Sequence, residues 1–320
     1  MGYKNDKKFK TLDEQIEILK YKGMTINNEE YAREILLREN YFFLNGYRHL
    51  FIKSETDKKF LPGVTFEELY SLFLFDRQFR NIIFKNLLII ENNIKSIISY
   101  QLSKKYGYKE NDYLKPKNFT EDPTKSRQVN DLIKKMKRQV RINGGQHSAT
   151  MHYINNYGYI PMWIMVKVLS FGIVGEMFSI LKKEDQESIT SIYQSDVNSF
   201  VDYLPILANY RNLCAHEDIL YENKTQKSID DTVIHMMLGI DKIDGEYIYG
   251  KNDLFALLII MNQFLTTDEF KNLIEEIDHA LINLEYNLKT IPLAKVLDRM
   301  GFPENWKDIK TIRKKVDYEK

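Results

Sequence analysis

The sequence predicts an all-α protein, and three observations lead there. Apolar residues return at helical spacing over most of the chain, capping boxes stand where two such stretches begin, and no strong run of alternating strand residues is present. No internal repeat is visible. With 320 residues and 43% hydrophobic content, the chain can bury one large core or two modest ones.

Thr11-Leu12-Asp13-Glu14 is a capping box that opens a short helix carrying Ile16 and Leu19, and Gly23 ends it. Asn27 or Asn28 starts the next helix, with Tyr31, Ile35 and Leu36 on one face. This pair, the Tyr41-Phe42-Phe43 segment and a small hairpin around His49–Phe60 are expected to form an N-terminal helical lobe, residues 1–62. Leu61-Pro62-Gly63 punctuates the chain there.

A second capping box, Thr65 to Glu68, begins the longest periodic stretch, which reaches about Tyr106. Phe66, Leu69, Phe73, Ile83, Leu87, Ile90, Ile94 and Ile97 form its apolar stripe. Unbroken, about 41 residues would span roughly 60 Å, longer than a compact domain, so a bend or two helices is expected. Asn111 to Pro123 reads as a polar loop. Further helices are predicted over 124–142, 148–157, 161–182, 184–193, 196–216, 252–265, 267–289 and 292–300. Residues 63–290 are thus the expected helical core and 291–320 a C-terminal helical tail.

Composition excludes several function classes. The 46 basic and 45 acidic residues leave a formal net charge of +1, so any nucleic-acid surface must be a local patch. One cysteine rules out internal disulfides and a cysteine-based metal site, which fits a reducing cytoplasm. Met1 to Lys10 is polar and lysine-rich, unlike a secretion signal. The most hydrophobic long window, Pro161 to Leu181, is interrupted by Lys167 and Glu176, so a buried helix is expected rather than a membrane span. No HExxH, paired CxxC, Walker loop, dinucleotide glycine pattern or Gly-x-Ser-x-Gly elbow appears, so no cofactor or metal is expected.

The concentrated chemistry lies in Tyr210-Arg211-Asn212-Leu213-Cys214-Ala215-His216. An RNA phosphodiester can be cut without metal by its own 2′-hydroxyl, given a group that moves protons near pH 7 and a cation for the crowded phosphate. Histidine and arginine supply these. Arginine followed a few residues later by histidine also occurs at Arg141 and His147, across Asn143-Gly144-Gly145, which reads as a loop.

In its full form, Arg-Asn-x-x-Ala-His at the end of an apolar helical pattern, the first instance resembles the signature of HEPN domains, a helical superfamily rich in metal-independent ribonucleases. Other segments narrow the resemblance to the Abi (abortive infection) family of bacterial phage-defence proteins, the AbiD/AbiF-like group. They are Glu39-Asn40-Tyr41-Phe42-Phe43-Leu44-Asn45-Gly46-Tyr47, Phe75-Asp76-Arg77-Gln78-Phe79-Arg80 and Ile90-Glu91-Asn92-Asn93-Ile94-Lys95. Pro161-Met162-Trp163 with Leu169-Ser170-Phe171-Gly172, and Met300-Gly301-Phe302-Pro303-Glu304-Asn305-Trp306, complete the set. The resemblance implies a HEPN-like helical bundle, a ribonuclease active as a homodimer and, for the AbiF-like branch, association with a small noncoding RNA. Family members often carry another His or Arg after the motif, whereas here Glu217-Asp218 follows, and negative charge there opposes phosphate binding.

On one straight helix, Arg211 and His216 lie about 140° apart, so they cannot aim at one phosphate. Either the helix ends or distorts near the motif, or two copies face each other across a symmetric dimer. The HEPN resemblance implies the second. His216 is then the general base or acid, Arg211 holds the scissile phosphate, and Asn212 orients His216 or caps a backbone group. The competing reading is a buried Arg–His–Asn network fastening two helices, with Cys214 a small buried residue.

Glu91, Asn93 and Lys95, with Asn92, interrupt the apolar pattern of the long helix and either support the motif from behind or lie on a solvated face. Asp76, Arg77 and Arg80 read as a structural ion-pair cluster, and Trp163 and Phe171 as core. The best local patch for RNA is Lys125, Arg127, Lys134, Lys135, Lys137, Arg138 and Arg141, opposed by Asp131 alone. Tyrosines at 106, 108 and 113 among lysines suit single-stranded RNA only loosely. The expected function is a phage-defence endoribonuclease that works in chelator. The alternatives are an RNA-binding protein that has lost cleavage and acts with a noncoding RNA or protein partner, and a purely structural dimerisation protein.

Overall fold

The capping and periodicity signals become helices along the whole chain. The computed structural model describes residues 8–54 and 56–312. The first seven residues of the expected N-terminal lobe, and residues 313–320 of the expected C-terminal tail, lie outside the described residues. The helices are α1 (Leu12–Tyr21), α2 (Glu29–Glu39), α3 (Tyr41–Asn45), α4 (Phe66–Tyr106), α5 (Glu110–Tyr113), α6 (Ser126–Asn143), α7 (Ser148–Tyr157) and α8 (Met162–Val168). They continue with α9 (Phe171–Ser179), α10 (Lys183–Thr190), α11 (Val197–Ala215), α12 (Val233–Met237), α13 (Leu254–Phe264), α14 (Thr267–Asn287) and α15 (Leu293–Met300). Extended structure amounts to an antiparallel ribbon, β1 (Lys242–Ile243) and β2 (Glu246–Tyr247), and isolated bridges. The fold is all-α.

α4 is the spine, and it is one helix rather than the two that its length allowed. It runs 41 residues without a break, from the Thr65 cap to Gly107. Its length is tolerated because different helices cover different stretches: α8, α10, α11, α13 and α14 all pack on it. Phe66, Leu69, Ile83, Leu87, Ile90 and Ile94 are each at most 1% exposed, so burial along the spine supplies what an isolated helix of this length lacks.

The second capping box is only half formed. Thr65 accepts the Glu68 N–H at 3.1 Å, but the Glu68 carboxylate turns away and accepts from the Lys289 and Thr290 N–H groups at 2.8 and 2.7 Å. It therefore ties the start of α4 to the chain after α14. The box at Thr11 and Glu14 is complete.

Three other expectations change. The single helix foreseen over 161–182 is two, α8 and α9, because Leu169 and Ser170 are extended and Ser170 caps α9. The small hairpin around His49–Phe60 forms, but shorter than paired strands: Ile52 bridges Phe60, Lys53 N–H donates to Lys59 O at 2.9 Å and Leu61 N–H to Phe51 O at 2.8 Å, after a 3₁₀ turn at Gly46–Leu50. The loop between Arg141 and His147 is instead the last turn of α6 followed by a 3₁₀ turn, and the His147 imidazole accepts from the Thr150 N–H as the cap of α7.

One continuous cluster of buried side chains runs from Ile16 to Ile309. It includes Leu44 and Tyr47 near α3, Phe200 and Leu207 on α11, and Phe302 and Trp306 beyond α15.

Candidate functional site

α11 delivers the Arg-Asn-x-x-Ala-His motif to the surface. Phe200, Leu204, Leu207, Tyr210 and Cys214 bury one face, while Asn212, Ala215 and His216 are exposed and Arg211 is half-buried. Burial pushes the Cys214 thiol up to about 12, so it stays a neutral, inert thiol. The helix ends at Ala215 with His216 as its cap residue. Its terminus has the Schellman arrangement: Asp218 N–H donates to Leu213 O at 3.3 Å and Glu217 N–H to Cys214 O at 3.5 Å. Glu217 occupies the left-handed position, φ 58°, where glycine is usual.

A buried group holds this turn in place. Asp76 of α4, fully buried, accepts from Leu220 N–H at 3.1 Å, from Tyr221 N–H at 2.7 Å and from the Tyr47 hydroxyl at 2.7 Å. Arg80 pairs with Asp76 and also donates to the Asp218 carbonyl at 3.3 Å. Tyr47 stacks on Tyr221 with ring centres 5.8 Å apart. Gly46 allows the close approach, since a Cβ there would sit 2.7 Å from the Ile219 Cδ1. Arg77, next to Asp76, does something else: it pairs with Glu39 at 2.6 Å and lies over the Phe73 ring. The pinning of residues 218–221 by Tyr47, Asp76 and Arg80 was not foreseen. Its only trace in the sequence is a carboxylate and a guanidinium four apart within an apolar helical run.

Arg211 is held from one side. Its Nε donates to Glu91 Oε2 at 3.1 Å and its guanidinium lies 5.7 Å from the centre of the Phe84 ring. Glu91 also accepts from Lys95 Nζ at 2.6 Å, and Lys95 donates to the Leu169 carbonyl at 2.7 Å, the group left open by the break between α8 and α9. This leaves the two terminal nitrogens of Arg211 without a hydrogen bond among the described residues, a fork shaped for an oxyanion. Asn93 is half-buried with no side-chain hydrogen bond among the described residues, and Asn92 accepts from Lys167 at 2.5 Å.

The His216 imidazole is exposed and has no hydrogen-bond partner among the described residues, and the Asn212 side chain likewise has none. Asn212 acts through its backbone, its carbonyl accepting the His216 N–H at 3.0 Å. The Arg–His–Asn network buried between two helices is therefore not what forms. Neither of two surface cavities, of about 980 and 890 Å³, is lined by a motif residue. Among the described residues no group of three His, Cys, Asp or Glu side chains is placed to hold a metal ion.

The basic residues of α6 point to solvent, but not all are free. Lys135 pairs with Glu176 at 2.8 Å, and Arg127 and Lys134 flank Asp131. Lys125, Lys137, Arg138 and Arg141 make no ion pair among the described residues. Tyr106 and Tyr113 are engaged, with Asp185 and with the Ile160 carbonyl, whereas Tyr108 is exposed. Trp163, expected in the core, is 42% exposed, because it lies on the outer side of the two-turn α8, against Tyr108 and Tyr153; Phe171 is buried.

The segments 39–47, 75–80, 90–95 and 161–172 all come together around α4 and the end of α11. A family model described as Abi-like protein matches residues 34–222, more than half of the chain. The chain belongs to the Abi-like protein family. No curated protein and no solved structure matches it. The matched stretch ends with the turn that Asp76 anchors, and the segment at 300–306 lies beyond it. Membership suggests abortive infection, a form of phage defence, for this Abi-like protein. No helix among its described residues is long and apolar enough to cross a membrane.

Proposed function

We propose that this Abi-like protein is a cytoplasmic phage-defence ribonuclease of the HEPN type, AbiD/AbiF-like, that cuts RNA without metal. The 2′-oxygen attacks phosphorus, the bond from phosphorus to the 5′-oxygen breaks, and a 2′,3′-cyclic phosphate and a free 5′-hydroxyl result. His216 takes the 2′-hydroxyl proton or supplies the one that the leaving oxygen needs. Arg211 stabilises charge building on the phosphate. The observation that carries the reading is a helix end offering an imidazole with no partner among the described residues and an arginine braced at Nε whose terminal nitrogens have none there either. A homodimer places two such ends opposite each other across a two-fold axis, with RNA, including a small noncoding RNA, as partner. α6 adds a local basic surface for the phosphate backbone.

The second reading is an RNA-binding protein that no longer cleaves. Glu217 and Asp218 directly after the motif, and the Glu91 carboxylate on Arg211, favour it by opposing an incoming phosphate. Cleavage of single-stranded RNA in EDTA by the wild type and by His216→Ala separates the two. Products from the wild type alone are expected. The side chain is exposed and has no hydrogen-bond partner among the described residues, so stability should change by no more than about 0.5 kcal/mol. Equal products from both proteins eliminate His216 as catalyst, and binding without products from either supports the second reading.

A further inference from the structure

The surface formed by α7, the start of α8 and the chain after α4 carries an aromatic cluster that the motif does not use. Tyr108, Tyr153, Tyr157, Tyr159 and Trp163 form one connected set. Ring centres lie 5.5 Å apart for Tyr108 and Tyr159, 5.4 Å for Tyr153 and Tyr157, and 6.5 Å for Tyr153 and Trp163. Rings so joined normally sit in a core. Here Tyr108, Tyr157 and Trp163 are 46%, 57% and 42% exposed. None of the four tyrosine hydroxyls makes a hydrogen bond among the described residues. The planes are tilted, by 33° between Tyr108 and Trp163 and by 80° between Tyr153 and Trp163, so the set is a faceted cup rather than a flat stack.

Charge tells what fits. Lys109 Nζ lies 5.9 Å from the Tyr108 ring centre and 5.2 Å from that of Tyr159, and it makes no ion pair among the described residues. A cation beside exposed π-faces, with no ion pair among the described residues, matches a polyanion whose flat groups can leave their stack. That is the chemistry of a single-stranded nucleic acid: bases stack on aromatic rings and phosphates meet lysine and arginine. A duplex keeps its bases covered and offers nothing to the rings.

We propose that this cup is a stacking site for unpaired bases of RNA, separate from the motif at the end of α11. It shares with the ribonuclease reading only the presence of RNA and does not require cleavage. Its role is to retain single-stranded segments and to discriminate against duplex.

The two tryptophans make the test direct. Trp163 is exposed while Trp306 is 2% exposed, so quenching of tryptophan emission by a bound base reports on the cup. The protein is titrated, in its His216→Ala form so that the probe survives, with an unstructured oligoribonucleotide of mixed sequence and with the same strand annealed to its complement. Expected are quenching by the single strand, weaker binding of the duplex, and a loss of about tenfold or more in single-strand affinity for Tyr157→Ala. Tyr157→Phe, which keeps the ring, should bind like its parent, and Lys109→Ala should lower the salt slope by about one. Equal affinity for single strand and duplex, absence of quenching on binding, or a folded Tyr157→Ala that binds normally would each overturn the proposal. A wild type that fails to cleave, with quenching intact, counts against the ribonuclease reading alone.

Discussion

Two buried carboxyl groups show how much a single side chain decides here. Asp76 is shut off from the surface and is satisfied by Arg80, the Tyr47 hydroxyl and two backbone N–H groups. Replacing it by alanine leaves the Arg80 guanidinium buried without its partner, and Asp76→Ala should cost about 3–5 kcal/mol in urea unfolding. Asp76→Asn, which keeps one acceptor, should cost less. Amide exchange at Leu220 and Tyr221 should accelerate in both. Asp253 caps α13 and accepts from the Gly250 and Ala256 N–H groups, and its burial pushes its pKa up to about 6. A carboxyl with a raised folded-state pKa contributes stability that is fully present below its unfolded value, and that contribution is lost as pH rises through about 6. Asp253→Asn does not ionise, so wild type should lose on the order of 3 kcal/mol relative to it between about pH 4 and pH 8, read from urea midpoints at each pH. Neither environment is legible from residue type: Arg77 and Arg80 look alike in sequence, yet one pins the turn after the motif and the other binds Glu39 at the end of α2.

At the scale of elements, the ends matter more than the middles. The Schellman end of α11 uses Glu217 where glycine would carry no left-handed penalty. Glu217→Gly should therefore raise stability by about 1 kcal/mol, seen as a higher urea midpoint at unchanged slope. Removing that negative charge beside His216 should also increase cleavage, and unchanged or lower cleavage would separate the charge argument from the strain argument. Helix existence was readable wherever the apolar period was sustained, as in α6, α7, α11, α13 and α14. The break between α8 and α9 was not, because Ser170 interrupts a stretch whose hydrophobicity continues, and the open Leu169 carbonyl is satisfied only by Lys95 from another helix. The unbroken α4 was missed for the opposite reason. A length argument assumes an isolated rod, and α4 is lined by other helices, among them α3, α5, α8, α10, α11, α13 and α14.

For the whole molecule, the two-copy site is the consequence to test. Arg211 and His216 leave the same helix end, and the proposed two-fold dimer lets an arginine of one protomer work with the histidine of its partner. Mixing Arg211→Ala with His216→Ala should then restore RNA cleavage that neither shows alone, and cleavage per protomer should fall on dilution. A mixture as inactive as its components would confine the site to one chain. By itself the sequence determined that the chain is helical, where most helices start and stop, and that Arg211, Asn212 and His216 share a helix end. Those properties come from spacing and capping within a few residues, which composition along the chain displays directly. Tertiary structure alone decided that Glu68 reaches residues 289 and 290, that Glu91 braces Arg211 from 120 residues away, that Asp76 anchors residues 220 and 221, and that five rings gather on one surface. Those meetings depend on how separate helices pack against α4. Packing is set by the fit of whole faces, which no local pattern records.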